Sequence, residues 1–298
     1  MHTNLILNCL RLISAIAMAG SIAACHGTPP AVILQTSQPI SVDGILDEPA
    51  WASAQPIPIV FPWGDSEPIQ QAPHGVARLT WDDDYFYIGY EVFDTDLSAG
   101  AATDNCLPRQ PCAIRDGERL LDVVEFLIAF DDIHFIWEIH HNVTNQFSDI
   151  WICAVDDDWP IAASGMAYNG LIVSPTQFIR DADGAKLATA ARVSGNSTIN
   201  RSADIDEGYF GELRLPWRGI GAPKRARIRK VIERDEQGQA VRSRTIGWNL
   251  TGQTVRVLVV MQDQSIKNRY LTSSPTIRPN EAFHTQVQHW PRYLFQSD

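Results

Sequence analysis

The chain has 298 residues and carries 24 Lys and Arg against 35 Asp and Glu, a formal net charge of −11. An acidic polypeptide without a sustained basic cluster is a poor partner for nucleic acid or for anionic lipid headgroups. At 45% hydrophobic residues it is long enough to bury a substantial core, as one large domain or two small ones.

From the N-terminus, Arg11 precedes an apolar run, Leu12–Ala19, which closes on small residues ending in Ile22-Ala23-Ala24-Cys25. Such a run is too short to span a bilayer and has the small-residue junction of a secretory signal. The last four residues resemble the bacterial lipobox. That implies a signal peptide over 1–24 and a diacylated Cys25 as the mature N-terminus, its lipid serving as the membrane anchor. His26 stands where an Asp would favour inner-membrane retention. The expected location is therefore the cell envelope, as an outer-membrane lipoprotein facing the periplasm or the outside. The alternative is a secreted protein with an incidental cysteine. Residues 25–38, polar and Pro-containing, read as a tether, and 39–298 as one domain without internal repeats.

From Pro39 the pattern is that of strands. Val76–Trp81 and Tyr85–Phe93 are dense in aromatic and β-branched residues and flank Asp82-Asp83-Asp84, a hairpin turn. Val123–Phe130 is apolar at nearly every position, as in a strand buried on both faces, and Asp131-Asp132 turns it into His134–His141. Leu171–Phe178, Ala188–Val193, Tyr209–Leu215, Ile228–Ile232, Thr245–Leu250 and Val255–Met261 complete the set. The basic run Lys224–Lys230 continues into Glu233, Asp235 and Glu236 and reads as a solvated hairpin. Pro and Gly between the strands leave little room for long helices. The architecture that fits is all-β, an antiparallel β-sandwich of immunoglobulin or jelly-roll type.

Of the five cysteines, Cys9 leaves with the signal and Cys25 carries lipid. Cys106 and Cys112 flank a Pro-containing loop and, in an oxidising compartment, form a local disulfide that leaves Cys153 a buried thiol; Cys106–Cys153 is the alternative pairing. No Cys/His spacing resembles a zinc site. The Asp82–Asp84 and Asp156–Asp158 runs offer oxygen ligands for calcium, although solvated turns account for them more simply.

Several words of the sequence then gain a common meaning. Val42-Asp43-Gly44-Ile45-Leu46-Asp47-Glu48 with Trp51 resembles the opening "VDGxLDExxW" of the family 9 carbohydrate-binding modules, within the DOMON-like group of β-sandwiches. Leu79–Tyr87, Asp122–Phe126, Tyr209–Trp217, Ile246–Asn249 and the closing Ala282–His284 with Tyr293–Phe295 resemble further blocks of that family, in order. The resemblance spans Pro39–Phe295 and implies a non-catalytic module that binds a polysaccharide or oligosaccharide. In such modules aromatic rings stack on pyranose C–H faces while carboxylates, amides and Arg bond the hydroxyls.

Carried over residue by residue, Glu125 matches the Glu of "DSVE", a ligand to sugar hydroxyls, and Asn249 matches an Asn of the late strand. The two stacking Trp residues of the family fall on Arg119 and Thr272, so the aromatic clamp is absent and other aromatics must supply the platform. Trp151 and Trp159, which flank Asp156–Asp158, and Trp137 are the candidates. Alternation along His134–His141 puts Phe135, Trp137, Ile139 and His141 on one face, which reads as core, and His134, Ile136, Glu138 and His140 on the other. Glu138 and His140 form a polar floor if they share a groove with Glu125, or else pair with charges across the sheet. Arg119 either serves hydroxyls or an acidic sugar, or balances Glu118 and Asp122. Trp51, Trp81 and Trp217 read as core.

Two alternatives belong to other classes. Some DOMON-like sandwiches hold b-type haem, for which Met166, Met261, His134 and His284 are available ligands. A glycoside hydrolase would use two carboxylates, Glu125 and Glu138.

Overall fold

Where apolar residues alternate along a strand, one face is buried; here two such faces meet. The computed structural model describes residues 31–63, 67–68, 74–99, 112–113, 121–129, 135–154, 166–168, 171–175, 187–217, 227–235, 237–264, 269–275 and 287–297. At 112–113, 135, 148–154, 166–168, 171–175, 227–234, 240–249, 264 and 269–271 it describes the backbone alone.

The smaller sheet is antiparallel, in the order β12 (Ala188–Val193), β13 (Tyr209–Pro216), β5 (Tyr85–Val92), β4 (Gly75–Trp81) and β2 (Ile57–Ile59). The larger begins β1 (Ala31–Leu34), β18 (Arg292–Gln296), β16 (Thr254–Gln264) and β7 (Val123–Ala129). It continues β8 (Phe135–Asn142), β9 (Gln146–Ala154), β11 (Leu171–Pro175) and β10 (Met166–Tyr168). Off this path, β17 (Arg269–Ser274) joins β16 to β3 (Phe61–Pro62), and β6 (Cys112–Ala113) pairs with β9. β14 (Arg227–Arg234) and β15 (Ala240–Asn249) form a separate ribbon. Every strand read from the sequence is present, and the β-sandwich stands.

The core lies between the sheets. The smaller sheet contributes Leu79, Trp81, Phe86, Ile88, Tyr90 and Leu213; the larger contributes Val124, Phe126, Ile128, Trp137, Ile139 and Val259. Trp81 and Trp217 are fully buried there, and Trp51 packs with Ile40 and Tyr87 in a satellite cluster. Met261 is also a core residue, 1% exposed. The Asp82 side chain shapes the β4–β5 turn: Oδ1 accepts the N–H groups of Asp84 and Tyr85, and Oδ2 accepts the Tyr87 hydroxyl.

The sheets are sewn together by chain that changes layers. β2 belongs to the smaller sheet and β3 to the larger, and between them Val60 N–H donates to the Ser273 carbonyl at 3.1 Å.

One boundary needs correction. Residues 25–38 read as a tether, yet Ala31–Leu34 pairs in parallel with β18, Ala31 opposite Tyr293 and Leu34 opposite Gln296. Four apolar residues suffice for one pleat repeat, and Ile33 buries its side chain to 1% exposure in the core. The folded domain therefore includes Ala31. Residues 1–24, Cys25, Cys106, Arg119, Trp159, Asp156–Asp158, His134 and His284 lie outside the described residues, and the side chain of Cys112 with them.

Candidate functional site

β7 and β8 are adjacent and antiparallel, with Glu125 opposite His140 and Leu127 opposite Glu138. Because side chains alternate along a strand, Val124, Phe126 and Ile128 enter the core while Glu125, Leu127 and Ala129 take the outer face of the larger sheet. On β8 the core side chains are Trp137 and Ile139, and the outer ones Ile136, Glu138 and His140. Part of that outer face is apolar: Leu127, Ala129, Ile136, Leu258 and Val260 lie beneath Val287 and Trp290, around a 3-10 turn at Val287–His289. Where this strip ends, the polar residues begin.

There, His140 Nε2 lies 2.9 Å from Glu138 Oε1 and 3.8 Å from Glu125 Oε1. All three residues are buried, at 2%, 5% and 8% exposure for Glu125, Glu138 and His140. An ionised carboxylate only accepts, so Nε2 carries the hydrogen and donates to Glu138. Gln262, two positions along β16 from Val260 and hence on the same face, adds a buried amide. The group thus sets two carboxylates around an imidazole whose Nε2–H is given to Glu138. One ligand atom from each of Glu125, Glu138 and His140 also falls within 4.8 Å of the other two, a spacing that a metal ion could bridge.

The structure thus brings Glu125, Glu138 and His140 together, as the polar floor requires. Other expected contributors stand elsewhere. Trp137 is fully buried in the core. The backbone of Trp151 is registered opposite Trp137 on the neighbouring strand. Asn249 ends β15, opposite Arg227 in the separate ribbon. Thr272 is 3% exposed, and its hydroxyl lies 2.7 Å from His74 Nδ1. Burial holds the His74 imidazole below its ordinary value, partly offset by the charge of Asp94.

The sequence reading passed over Trp63. It follows Pro62, which is registered opposite Thr272, and the residue is 37% exposed. A half-exposed indole is thereby set beside the position where the family's second stacking Trp is missing. The available signal was Phe61-Pro62-Trp63 itself, an aromatic cluster in a Pro-containing stretch. A two-residue strand has no periodicity to betray it.

Residues 42–107 match the family model described as "Carbohydrate family 9 binding domain-like". No curated protein matches the chain. Among solved structures, a protein from Bacteroides uniformis, provisionally assigned as carbohydrate-binding, is 12% identical; the match covers 89% of this chain and 98% of that one, with a TM-score of 0.53. A family 9 carbohydrate-binding module from Caldicellulosiruptor kristjanssonii in complex with cellotriose is 11% identical over 90% of this chain and 94% of its own, with a TM-score of 0.45. A glucose complex of a family 9 module from the same organism is 12% identical over 89% and 96%, also at 0.45. The resemblance to family 9 stands, and the Bacteroides structure agrees in fold.

Proposed function

We propose that this protein binds a polysaccharide or oligosaccharide without catalysis, through the outer face of its larger sheet, as a lipid-anchored protein of the cell envelope. The observation that carries the reading is the Glu125–His140–Glu138 group, in which two strands set His140 Nε2 at 2.9 Å from the Glu138 carboxylate and 3.8 Å from that of Glu125. The family 9 match over residues 42–107 supports the same ligand class. Trp63 is the stacking surface of this reading, replacing the clamp lost at Arg119 and Thr272. Trp159 and Arg119 remain candidate contacts on sequence grounds, as does Asn249.

Calorimetry against glucans, xylans and uronic-acid polymers tests it. Saturable binding to at least one polymer, weakened by Glu125→Gln, is the expected outcome; no binding across the panel overturns the reading. Anchoring rests on Ile22-Ala23-Ala24-Cys25. Expressed with its leader, the protein should partition into the detergent phase on Triton X-114 separation, and the Cys25→Ser variant should not.

A further inference from the structure

The chain's net charge of −11 conceals one strongly basic element. β14 and β15 carry Arg227, Arg229, Lys230, Arg234, Arg242 and Arg244, a quarter of the chain's 24 Lys and Arg, against the single acid Glu233. The two strands pair with each other and, among the described residues, with no strand of either sheet. Register sets Glu233 opposite Arg242, Lys230 opposite Thr245 and Val231 opposite Arg244, so only one of these pairs joins opposite charges. A two-stranded ribbon standing alone is marginal in water, and a surplus of like charge on adjoining strands adds repulsion. An anionic surface relieves that repulsion.

The root of the ribbon is firmly held. Just past Asn249, Leu250 is fully buried in the core, Gly252 N–H donates to the Phe295 carbonyl at 2.8 Å, and Phe295 N–H donates to the Gln253 carbonyl at 2.9 Å. β16 then begins, with Val255 opposite Tyr293, and Tyr293 is in turn opposite Ala31. Ala31 and Val255 are therefore two strand spacings apart, about 10 Å. The ribbon's root and the start of β1, where the N-terminal segment joins the fold, share one corner of the larger sheet. The six residues from Cys25 to Ala31 reach roughly 20 Å, and a ten-residue strand such as β15 is about 30 Å long. A bilayer holding lipid on Cys25 falls within the ribbon's reach.

An average over 298 residues makes the chain a poor partner for anionic headgroups, but recognition is local. Exposed charges more than about 8 Å apart are largely screened at physiological ionic strength, so distant acids do not cancel the ribbon. Charge by itself suits any polyanion; the corner shared with the N-terminal segment selects the membrane.

We propose that the β14–β15 ribbon docks on phosphate-bearing headgroups of the bilayer, as a second attachment beside the lipid. The choice of a bilayer rests on the anchor proposed at Cys25.

The test uses the full chain carrying Cys25→Ser, which reports the ribbon without the lipid, and vesicles of phosphatidylcholine alone or mixed with phosphatidylglycerol. Sedimentation should show binding about tenfold or more tighter to the mixed vesicles than to the neutral ones, a preference that fades as salt is raised. Adding Arg242→Gln and Arg244→Gln together should remove about tenfold of that preference. Arg192→Gln with Arg201→Gln deletes the same charge from exposed positions off the ribbon and should change nothing. If the ribbon variant fails to fold, the salt dependence of the Cys25→Ser protein still decides. Equal binding to both vesicles, a preference indifferent to salt, an undiminished preference in the ribbon variant, or capture of a uronic-acid polymer or DNA in place of the mixed vesicles overturns the proposal. Detergent partition of the protein with Cys25 intact reports the anchor alone, so failure of the anchor and failure of the ribbon are separate results.

Discussion

Trp51 donates its indole N–H to Glu212 Oε1 at 3.0 Å, across 161 residues of chain. The other oxygen of the same buried carboxylate accepts the backbone N–H groups of Asp43 and Gly44, at 2.9 and 2.7 Å. One side chain on the outer face of the smaller sheet thus fastens the segment that crosses over it. Gly44, at φ +81°, supplies the backbone conformation that turns its N–H inward. Two of the sequence words that resembled family 9, the opening turn and the Glu-containing strand before Trp217, meet on this carboxylate.

Replacing Glu212 by Gln sets an amide N–H against at least one of those donors. We expect destabilisation of about 1–3 kcal/mol, read as a lower urea midpoint at unchanged m-value. An unchanged midpoint would contradict the fastening role.

Two buried groups should oppose each other as pH changes. Burial, only partly offset by its hydrogen bonds, pushes Glu212 up to about 7 from an ordinary 4.5. Its contribution to stability is therefore complete below pH 4.5 and lost as pH rises to about 7. His141 runs the other way: burial holds it down to about 4 from 6.5, with the hydrogen bond to Asn145 acting against the shift. Its contribution is complete above pH 6.5 and lost as pH falls through about 4. Between pH 4.5 and 6.5 the slopes oppose. The Glu212→Gln variant should unmask the histidine, so that Tm falls on acidification where the parent changes less; equal slopes in the two proteins refute this.

Gly211 marks an approach too close for any side chain. A Cβ there would meet the Tyr90 ring at 2.2–2.5 Å, with that ring packed between the sheets against Phe126 and Tyr209. The Tyr90 hydroxyl also donates to His141 Nδ1 at 2.7 Å, so the ring has little freedom to yield. Gly211→Ala should cost about 1–3 kcal/mol or more by thermal or urea unfolding. Gly238→Ala meets nothing within 4 Å and serves as the comparison for the strain of positive φ alone.

For glycan binding, Trp63→Ala should weaken affinity about tenfold, near 1.4 kcal/mol, while leaving Tm within a degree or two. Glu125→Gln should weaken it further, because a buried acceptor becomes in part a donor facing His140. Calorimetry on one responsive polymer separates the two; retention of parental affinity in both variants removes the outer face from consideration.

The sequence made local order legible and distant order obscure. The Asp82 turn, the alternation that sends Trp137 inward and Glu138 and His140 outward, and the apolar β7 each follow from a few adjacent residues, and each is found. β1 was missed because four apolar residues among prolines look like linker until β18 pairs with them. The meeting of Asp43, Gly44 and Trp51 with Glu212, and of Asp94 with Asp122 and Asp263, depends on separations of 28 residues or more. No local period encodes those.

The parallel pairing of β1 with β18 also governs posture. On the lipid anchor proposed for Cys25, the first strand residue, Ala31, would come six residues later. At about 3.5 Å per residue the leash reaches roughly 20 Å. The domain would therefore ride low over the bilayer and pivot little, and polymers lying close to the cell surface would be within its grasp while those farther out would have to come to it.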